Sequence, residues 1–214
     1  MTAELHDVAD AHRDHLVRFY EHDEELVAWV GGAVLDAVGA GATAIVIATE
    51  EHRRGLEAHA AAVGVDLERA RREGRYAERD AAATLARIMP GGHLDREAFD
   101  RVVGALVRAA AASGRPVRAF GEMVALLWDA GDVPAAIELE RLWNELGARL
   151  PFTLLCAYPR EAVSSPEQAA ALEQVCHLHT AVHDTARTAV TGRFPAALDG
   201  WRPTPSSTPA PPSR

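Results

Sequence analysis

Short apolar segments rich in β-branched residues alternate with segments of helical periodicity along most of this chain of 214 residues. The clearest apolar segment, TAIVIA at Thr43–Ala48, is typical of a strand buried on both faces. The segment before it places apolar side chains at helical spacing, at Leu26, Val27, Val30, Val34 and Val38. The alternation predicts an α/β fold: a three-layer α/β/α sandwich around a mostly parallel sheet of about five or more strands.

The same patterns predict the order of the elements. Predicted strands lie at 16–20, 43–48, 75–79, 115–120 and 152–157. Predicted helices follow each strand, and the last of them spans 167 to about 191. No internal repeat is present, so the sequence predicts one domain and not an array.

Composition predicts the extent of the folded domain. Apolar residues make up 48% of the chain and charged residues 25%, which suits a globular core and argues against general disorder. We expect a flexible N-terminus at 1–13, a single domain at 14–190 and a disordered tail rich in proline and serine at 191–214. The polar N-terminus lacks a signal peptide, and no apolar run approaches the roughly 20 residues that span a bilayer, so we expect a cytoplasmic protein.

Charge and side-chain chemistry exclude several functions. The formal net charge of -9 argues against a nucleic-acid binder, which normally has a basic face. All 22 basic residues are arginine, so the chain has no lysine for a Schiff base or for the phosphate contact of a P-loop. Two cysteines are too few for a disulfide scaffold and fit a reducing compartment.

Polar side chains follow the predicted strands. In a parallel sheet covered on both faces, ligands bind outside the carboxyl ends of the strands. The residues at those ends are Glu21 and His22, Thr49 and Glu50, Asp80, Glu122, and Tyr158. The sequence therefore predicts a carboxyl edge that gathers carboxylates, a histidine and tyrosines.

Several long motifs, in the same order along the chain, carry a family resemblance. They are HLVRFYE (15–21) followed by Asp23 and Glu25-Leu26, GRY (74–76), DA (80–81), TLAR (84–87), PVRAFGEMVALLW (116–128), LE (139–140), LWN (142–144) and LLCAYP (154–159), with Cys176 and His179 in the last predicted helix. Together they resemble the MEDS domain, the sensory domain of dichloromethane-responsive regulators in methylotrophs and methanogens. The resemblance covers about residues 13–185, nearly the whole chain before the tail.

The resemblance implies a fold related to the RecA/KaiC P-loop ATPases in which the phosphate loop has been lost. It also implies a sensory role for small hydrocarbon-derived ligands. The family often joins this domain to a DNA-binding, kinase or anti-sigma-type output module, and no segment after residue 190 can fold into one. We therefore expect a protein partner in trans, such as a kinase, a transcription regulator or a sigma or anti-sigma factor. We expect no direct nucleic-acid or membrane partner, and a homodimer remains open because related folds often assemble.

The residues themselves also argue against nucleotide hydrolysis. A P-loop needs glycines whose backbone N–H groups wrap phosphate, and a lysine that meets the terminal phosphates. No glycine precedes Gly31, and the segment after Tyr20 reads EHDEE (21–25). These carboxylates would repel a triphosphate. No serine lies in a G-x-S-x-G motif at a strand end, so we expect a non-catalytic protein.

The candidate ligand-binding residues are those that end or follow strands, with neighbouring aromatic and histidine side chains: His15, Tyr20, Glu50, Asp80, Glu122, Trp128 and Tyr158. The carboxylates suit polar anchors of a pocket, and the aromatic side chains suit its apolar wall. In the alternative interpretation Glu50 and Asp80 cap helices, Glu122 is solvated or bonded locally, and the aromatic residues are core. Glu122 is the strongest functional candidate, because it follows a strand inside the most distinctive motif.

A partial metal site is the main alternative. On the predicted last helix, Cys176, His179 and His183 share one face, and His15 is a candidate fourth ligand. Thiolate and imidazole bind zinc or haem iron, although one helix supplies only part of such a set. Otherwise the face is a polar stripe, and Cys156 is a buried, inert thiol.

The sequence leads to a ranked set of hypotheses. The first is a non-catalytic sensory domain that binds a small, partly apolar ligand at the carboxyl edge of the sheet and signals to a partner protein. The second is a metal- or haem-dependent sensor that uses Cys176 and His179. A residual nucleotide-binding switch and a purely interacting module are the other two.

Overall fold

The computed structural model describes residues 14–163 and 168–184. The strands are β1 (His15–Tyr20), β2 (Thr43–Ala48), β3 (Tyr76–Asp80), β4 (Val117–Gly121), β5 (Thr153–Pro159) and β6 (Ala181–Asp184). The helices are α1 (Asp23–Gly39), α2 (Glu50–Ala62), α3 (Leu67–Arg72), α4 (Ala81–Ile88), α5 (96–111), α6 (Met123–Asp129), α7 (Val133–Arg149) and α8 (Ala169–Leu178). Within α5, the π-helical segment Asp100–Gly104 joins the α-helical segments Arg96–Phe99 and Ala105–Ala111.

The strands form one six-stranded sheet in the order β3-β2-β4-β5-β1-β6. Every neighbouring pair is parallel, and the register places Phe19 beside Tyr158 and Ile47 beside Gly121. Helices cover both faces of this sheet. The predicted α/β class and mostly parallel sheet are therefore confirmed.

Two hydrophobic cores lie on opposite faces of the sheet. One lies between the sheet and α1–α3, and the other lies between the sheet and α4–α8. Successive strand side chains point to opposite faces, so Cys156 and Tyr158 of β5 face α4–α8 while Leu155 and Ala157 face α1–α3. We call these helical groups the α1–α3 layer and the α4–α8 layer.

The chain changes layers between neighbouring strands. Helices of the α1–α3 layer follow β1 and β2, whereas helices of the α4–α8 layer follow β3, β4 and β5. The strands β2 and β4 are neighbours, so the connections that leave their carboxyl ends diverge. Such divergence opens a crevice at the carboxyl edge of a parallel sheet.

Side-chain caps begin two of the helices that leave the carboxyl edge. The Thr49 side chain accepts from the His52 N–H at the start of α2, and the Asp80 side chain accepts from the Ala83 N–H at the start of α4. The first helix differs, because its N-cap His22 makes no side-chain cap hydrogen bond and its first turn carries the acids Asp23, Glu24 and Glu25. Carboxylates in a first turn complement the helix dipole.

Close packing of α1 against α2 fixes the geometry of the carboxyl edge. A Cβ atom on Gly31 would lie 2.7 Å from His59 Cδ2, and a Cβ atom on Gly55 would lie 2.8 Å from Val27 Cγ2. Both helices therefore need glycine where they touch. Their contact holds the starts of α1 and α2 side by side.

The predicted helix at 167 to about 191 is confirmed at Ala169–Leu178 and wrong from there to residue 184, where the described part of the chain ends. Helix α8 ends at Leu178, His179 has an extended backbone, and Ala181–Asp184 form an edge strand beside β1. The Thr180 N–H donates to the His15 carbonyl at 2.7 Å, which begins this pairing. Local helical spacing did not predict the strand, because its pairing with β1 is a tertiary interaction.

Parts of the predicted domain boundaries lie outside the described residues. These are the N-terminus at 1–13, the end of the domain at 185–190 and the tail at 191–214. Within the described part of the chain, no helix combines the length and the apolar character that a membrane crossing requires.

Candidate functional site

A cluster of polar side chains lies at the carboxyl edge, beside the ends of β2 and β4. Glu122 follows β4, Thr49 follows β2, His52 lies in the first turn of α2, and Asp23 begins α1. We call Asp23, Thr49, His52 and Glu122 the edge cluster. The sheet topology brings these residues together from three separate parts of the chain.

Glu122 is the centre of the edge cluster. Its carboxylate accepts from the Thr49 N–H at 2.7 Å, from Thr49 Oγ1 at 3.3 Å and from His52 Nδ1 at 2.7 Å. The other ring nitrogen, His52 Nε2, lies 3.4 Å from Asp23 Oδ1. Within the described residues this Nε2 has no hydrogen-bond partner. The imidazole thus lies between a buried carboxylate and an exposed one.

The charges around His52 favour its protonated form. Burial lowers the pKa of His52, but the hydrogen bond and charge of Glu122, together with the negative charge of Asp23, outweigh burial and raise the pKa. Tyr20 packs edge-on against the imidazole, with ring centroids 6.5 Å apart. Burial, and then the negative charges of Glu122 and Asp23, raise the pKa of Tyr20, so its hydroxyl stays protonated.

Two predicted carboxylates at this edge have structural partners. Asp80 caps α4 through the Ala83 N–H at 2.8 Å and pairs with Arg53 at 3.2 Å. Glu50 is exposed and pairs with Arg54 one turn further along α2. Asp80 is therefore a helix cap, as the alternative interpretation predicts, whereas Glu50 is not, because the cap of α2 is Thr49.

A second polar cluster lies inside the α4–α8 layer. It combines His15 at the start of β1, Glu140 on α7, Cys156 on β5 and His179 after α8, and we call it the interior cluster. One potential ligand atom from each residue lies within 4.8 Å of the others, which is close enough to hold a metal ion. Glu140 and Cys156 are fully buried, and the His179 side chain has no exposed surface.

The Glu140 carboxylate is surrounded by the other members of the interior cluster. Its Oε2 lies 3.2 Å from His15 Nε2 and 3.5 Å from Cys156 Sγ. Its Oε1 accepts from the Tyr158 hydroxyl at 2.7 Å and lies 3.6 Å from His179 Nε2. The His15 and His179 rings lie against each other with centroids 3.8 Å apart.

Hydrogen bonds outside the cluster orient both histidines. The Asn144 side-chain amide donates to the Leu178 carbonyl at 2.9 Å. This hydrogen bond turns Asn144 Oδ1 towards His15 Nδ1, and these two atoms are also 2.9 Å apart. His179 Nδ1 donates to the Val175 carbonyl at 2.6 Å. Each ring is therefore held by Nδ1, and each Nε2 points at Glu140.

Burial and charge set different protonation states within the interior cluster. Burial lowers the pKa of His179 to about 4 although Glu140 opposes the shift, so His179 is neutral at pH 7. Burial raises the pKa of Glu140, but the two histidines and the hydrogen bonds from His15 and Tyr158 outweigh burial and lower it. Burial, and then Glu140, raise the pKa of the Cys156 thiol well above its usual value.

The predicted aromatic candidates divide between the two regions. Tyr20 lies beside the edge cluster, whereas the Tyr158 side chain points into the core and meets Glu140. Trp128 packs edge-on against Tyr158 at 5.4 Å, and its Nε1 donates to the Ala162 carbonyl at 2.9 Å. His15 lies at the amino end of β1 and not at the carboxyl edge.

The predicted metal ligands need correction. His179 joins the interior cluster, but the second thiol near it is Cys156, and Cys176 is not among the four clustered ligand groups. His183 lies on β6, so it does not share a helix face with Cys176 and His179. The helix ends before His179, and this removes the spacing on which the predicted ligand set depended.

Sequence reasoning missed Glu140 and His52. Glu140 is the only carboxylate among the fully buried large side chains of the described residues, and it lies on the α7 face that also buries Leu139, Trp143 and Leu146. An acid on an apolar stripe is therefore the signal that could have identified it. His52 had a weaker signal, since it differs from other helix histidines only in lying three residues after Thr49.

Comparisons with known proteins bear on the family and the fold. Residues 14–180 match the family model described as the methanogen/methylotroph, DcmR sensory domain, or MEDS. Among solved structures, the chain is similar to a KaiC-like protein from the hyperthermophilic archaeon Pyrococcus horikoshii OT3, with a TM-score of 0.56 and 15% identity over 84% of this chain and 76% of that chain. That likeness supports the fold alone and confirms the predicted RecA/KaiC-like architecture. The comparison with curated proteins found no match.

Proposed function

Because the chain belongs to the MEDS family of sensory domains, we propose that it is a non-catalytic sensor that binds a small, partly apolar molecule at the carboxyl edge of the sheet. The observation that carries this proposal is the edge cluster: an imidazole between Glu122 and Asp23, with a buried Nε2 that has no hydrogen-bond partner within the described residues. A ligand oxygen or halogen near this nitrogen would meet a polar anchor beside the apolar ring of Tyr20.

The charge of the carboxyl edge supports a small-molecule ligand over a nucleotide. The first turn of α1, where a phosphate loop would lead into its helix, carries Asp23, Glu24 and Glu25. The next carboxylate inward is the buried Glu122. A triphosphate placed here would meet negative charge at short range without a lysine to balance it.

The position of the edge cluster suits signal transmission. Asp23 belongs to α1, His52 to α2, and Glu122 to the junction between β4 and α6. A ligand that prefers one arrangement of these three elements shifts the population towards that arrangement. We propose that the shift is passed to a protein partner in trans, such as a kinase, a transcription regulator or a sigma or anti-sigma factor, in the cytoplasm.

Metal-dependent sensing is a second candidate, and the interior cluster favours it. Four buried groups whose ligand atoms lie within 4.8 Å of one another suit a single ion. They suit haem poorly, because the His15 and His179 rings lie against each other with centroids 3.8 Å apart and leave no space for a porphyrin plane between them. This candidate therefore concerns an ion such as zinc.

A thermal-shift screen tests the first candidate. Short-chain alcohols, ketones and chlorinated hydrocarbons are added to the full chain, to His52→Asn and to Glu50→Gln, a control for an exposed acid at the same edge. We expect a ligand that stabilises the wild type and Glu50→Gln but not His52→Asn. An equal shift in His52→Asn would contradict the proposed pocket, and ATP hydrolysis by the wild type would contradict the non-catalytic role.

A further inference from the structure

We propose that His15, Glu140, Cys156 and His179 bind one divalent transition-metal ion, and that zinc is the best-matched ion. This inference rests on the second candidate function and is independent of ligand binding at the edge cluster. It replaces the ligand set expected from sequence, in which Cys176 was the thiol.

The distances between the donor atoms match a four-coordinate site. His15 Nε2 lies 3.2 Å from Glu140 Oε2 and 3.3 Å from Cys156 Sγ. Cys156 Sγ lies 3.5 Å from Glu140 Oε2, and His179 Nε2 lies 3.6 Å from Glu140 Oε1. Tetrahedral zinc with bonds of about 2.0–2.3 Å holds its ligand atoms about 3.3–3.5 Å apart. The His179 distance is to the other Glu140 oxygen, and the four ligand atoms lie within 4.8 Å of one another, so the side chains must move inward to reach the corners of a zinc site.

The hydrogen bonds around the cluster orient the histidines as metal ligands. A histidine that binds a metal through one nitrogen usually donates its other N–H to a carbonyl or amide oxygen. Here Asn144 Oδ1 accepts from His15 at 2.9 Å, and the Val175 carbonyl accepts from His179 at 2.6 Å. Both Nε2 atoms are left facing the same carboxylate.

The buried His179 Nε2 provides an independent indication of a ligand. It has no hydrogen-bond partner within the described residues, although it lies 3.6 Å from Glu140 Oε1. With Nδ1 protonated, Nε2 offers a lone pair, so two electron-rich atoms face each other in the core. Such an arrangement is costly without a cation, and a metal ion converts both atoms into ligands.

The donor types and their charges select the ion. Two imidazoles, one carboxylate and one thiol favour zinc and its transition-metal neighbours over magnesium and calcium, which prefer all-oxygen sites. On binding, the Cys156 S–H bond breaks, the thiolate bonds to the metal and the proton leaves to solvent. Glu140 and the Cys156 thiolate then balance the two positive charges, so the filled site is neutral inside the core.

Metal binding at this site would connect distant parts of the chain. His15 begins β1, Cys156 lies on β5, Glu140 lies on α7, and His179 precedes β6. The edge strand β6 has only 4 residues, and within the described chain it pairs only with β1. The ion would therefore hold β6 in place, so that binding or loss of the metal would change the structure at this edge of the sheet.

Cobalt substitution tests the proposal, because a cobalt–thiolate bond gives a charge-transfer band that identifies the sulfur ligand. The full chain is produced with zinc or cobalt present during folding, since the site is buried, and the metal content is measured by elemental analysis. We expect about one ion per chain, as a four-ligand site requires. The chain has 2 cysteines, so the band in Cys176→Ser can come only from Cys156.

Matched variants separate the ligands from their neighbours. We expect Cys156→Ser to lose the thiolate band and Cys176→Ser to keep it. His179→Asn should lose at least about tenfold in metal affinity, whereas His177→Asn, an exposed histidine on α8, should not. If another variant fails to fold, the spectra of the wild type and Cys176→Ser still show whether Cys156 binds the metal.

Two results would overturn the proposal. One is a wild-type chain that holds no zinc or cobalt after folding in their presence. The other is a cobalt-bound Cys176→Ser chain without a thiolate band. Neither result affects the His52 screen, so a failure of the metal site and a failure of the edge pocket are distinguishable.

Discussion

The edge cluster and the interior cluster both pair histidine with a buried glutamate, yet the two pairs differ in charge. At the edge, His52 has a raised pKa and lies between Glu122 and Asp23, whose side chain is 58% exposed. In the interior, His179 is neutral beside the fully buried Glu140. The edge pair is thus an ion pair open to solvent on one side, whereas in the interior a neutral His179 lies 3.6 Å from a buried carboxylate.

The cause of this difference lies first in burial, which lowers the pKa of His179, and then in the charges beside each ring. At the edge the second ring nitrogen, His52 Nε2, faces another carboxylate, which favours a protonated ring. In the interior, Nδ1 of each histidine is already bound by Asn144 or by the Val175 carbonyl, and the rings crowd one another. The same residue types therefore favour a protonated imidazole at the edge and a neutral His179 in the interior.

Removal of Glu140 should have the largest effect on stability. Glu140→Ala leaves His15, His179 and the Tyr158 hydroxyl without their shared partner in the core. We expect the free energy of unfolding, measured by urea denaturation, to fall by about 3–5 kcal/mol.

Glu145→Ala is the matched control on the same helix. Glu145 is exposed and pairs with Arg96 on the surface, so its loss should cost about 1 kcal/mol or less. Equal effects of the two substitutions would show that the interior cluster adds nothing to stability and would weaken the contrast between the two regions.

Tyr158→Phe should have an intermediate effect. The substitution keeps the ring that packs against Trp128 and removes only the hydroxyl that donates to Glu140 Oε1 at 2.7 Å. A hydrogen bond to a buried charge contributes about 1.5–3 kcal/mol, and we expect a loss of that size in urea denaturation. The same loss in a Glu140→Gln background would show that the hydroxyl acts independently of the carboxylate, contrary to this prediction.

Local patterns were sufficient to predict most of the fold. The β-branched segment Thr43–Ala48 forms β2 with its predicted bounds, and the Thr49 and Asp80 caps begin helices where the sequence places them. The strand β6 was missed because its pairing with β1 involves residues more than 160 positions away, as in the contact of Thr180 with His15 (separation 165). A pattern that depends on a distant partner leaves no local periodicity.

The site was predictable only where sheet topology determines it. Glu122 and Tyr20 follow or end strands, so a parallel sheet brings them to the carboxyl edge. The interior cluster depends on the register of β1 against β5, on the rotation of α7 about its axis and on the residue at which α8 ends. Local patterns in a single sequence predict none of these three features. His15 and His179 were selected from the sequence, but their meeting with Glu140 was not.

The pH dependence of the edge cluster should be the smallest of these effects and the most specific to it. Because the pKa of His52 is raised above 6.5 in the folded chain, the folded state binds the proton more tightly than the unfolded state. The stabilisation is therefore present in full below pH 6.5 and is lost as the pH rises through the raised pKa. Urea denaturation of the wild type and Glu122→Gln from about pH 6 to about pH 9 measures it. We expect the stability difference between the wild type and Glu122→Gln to shrink with rising pH. Asp23→Asn should show a weaker trend, because Asp23 is exposed. A stability difference between the wild type and Glu122→Gln that stays constant with pH would mean that His52 is neutral in the folded chain.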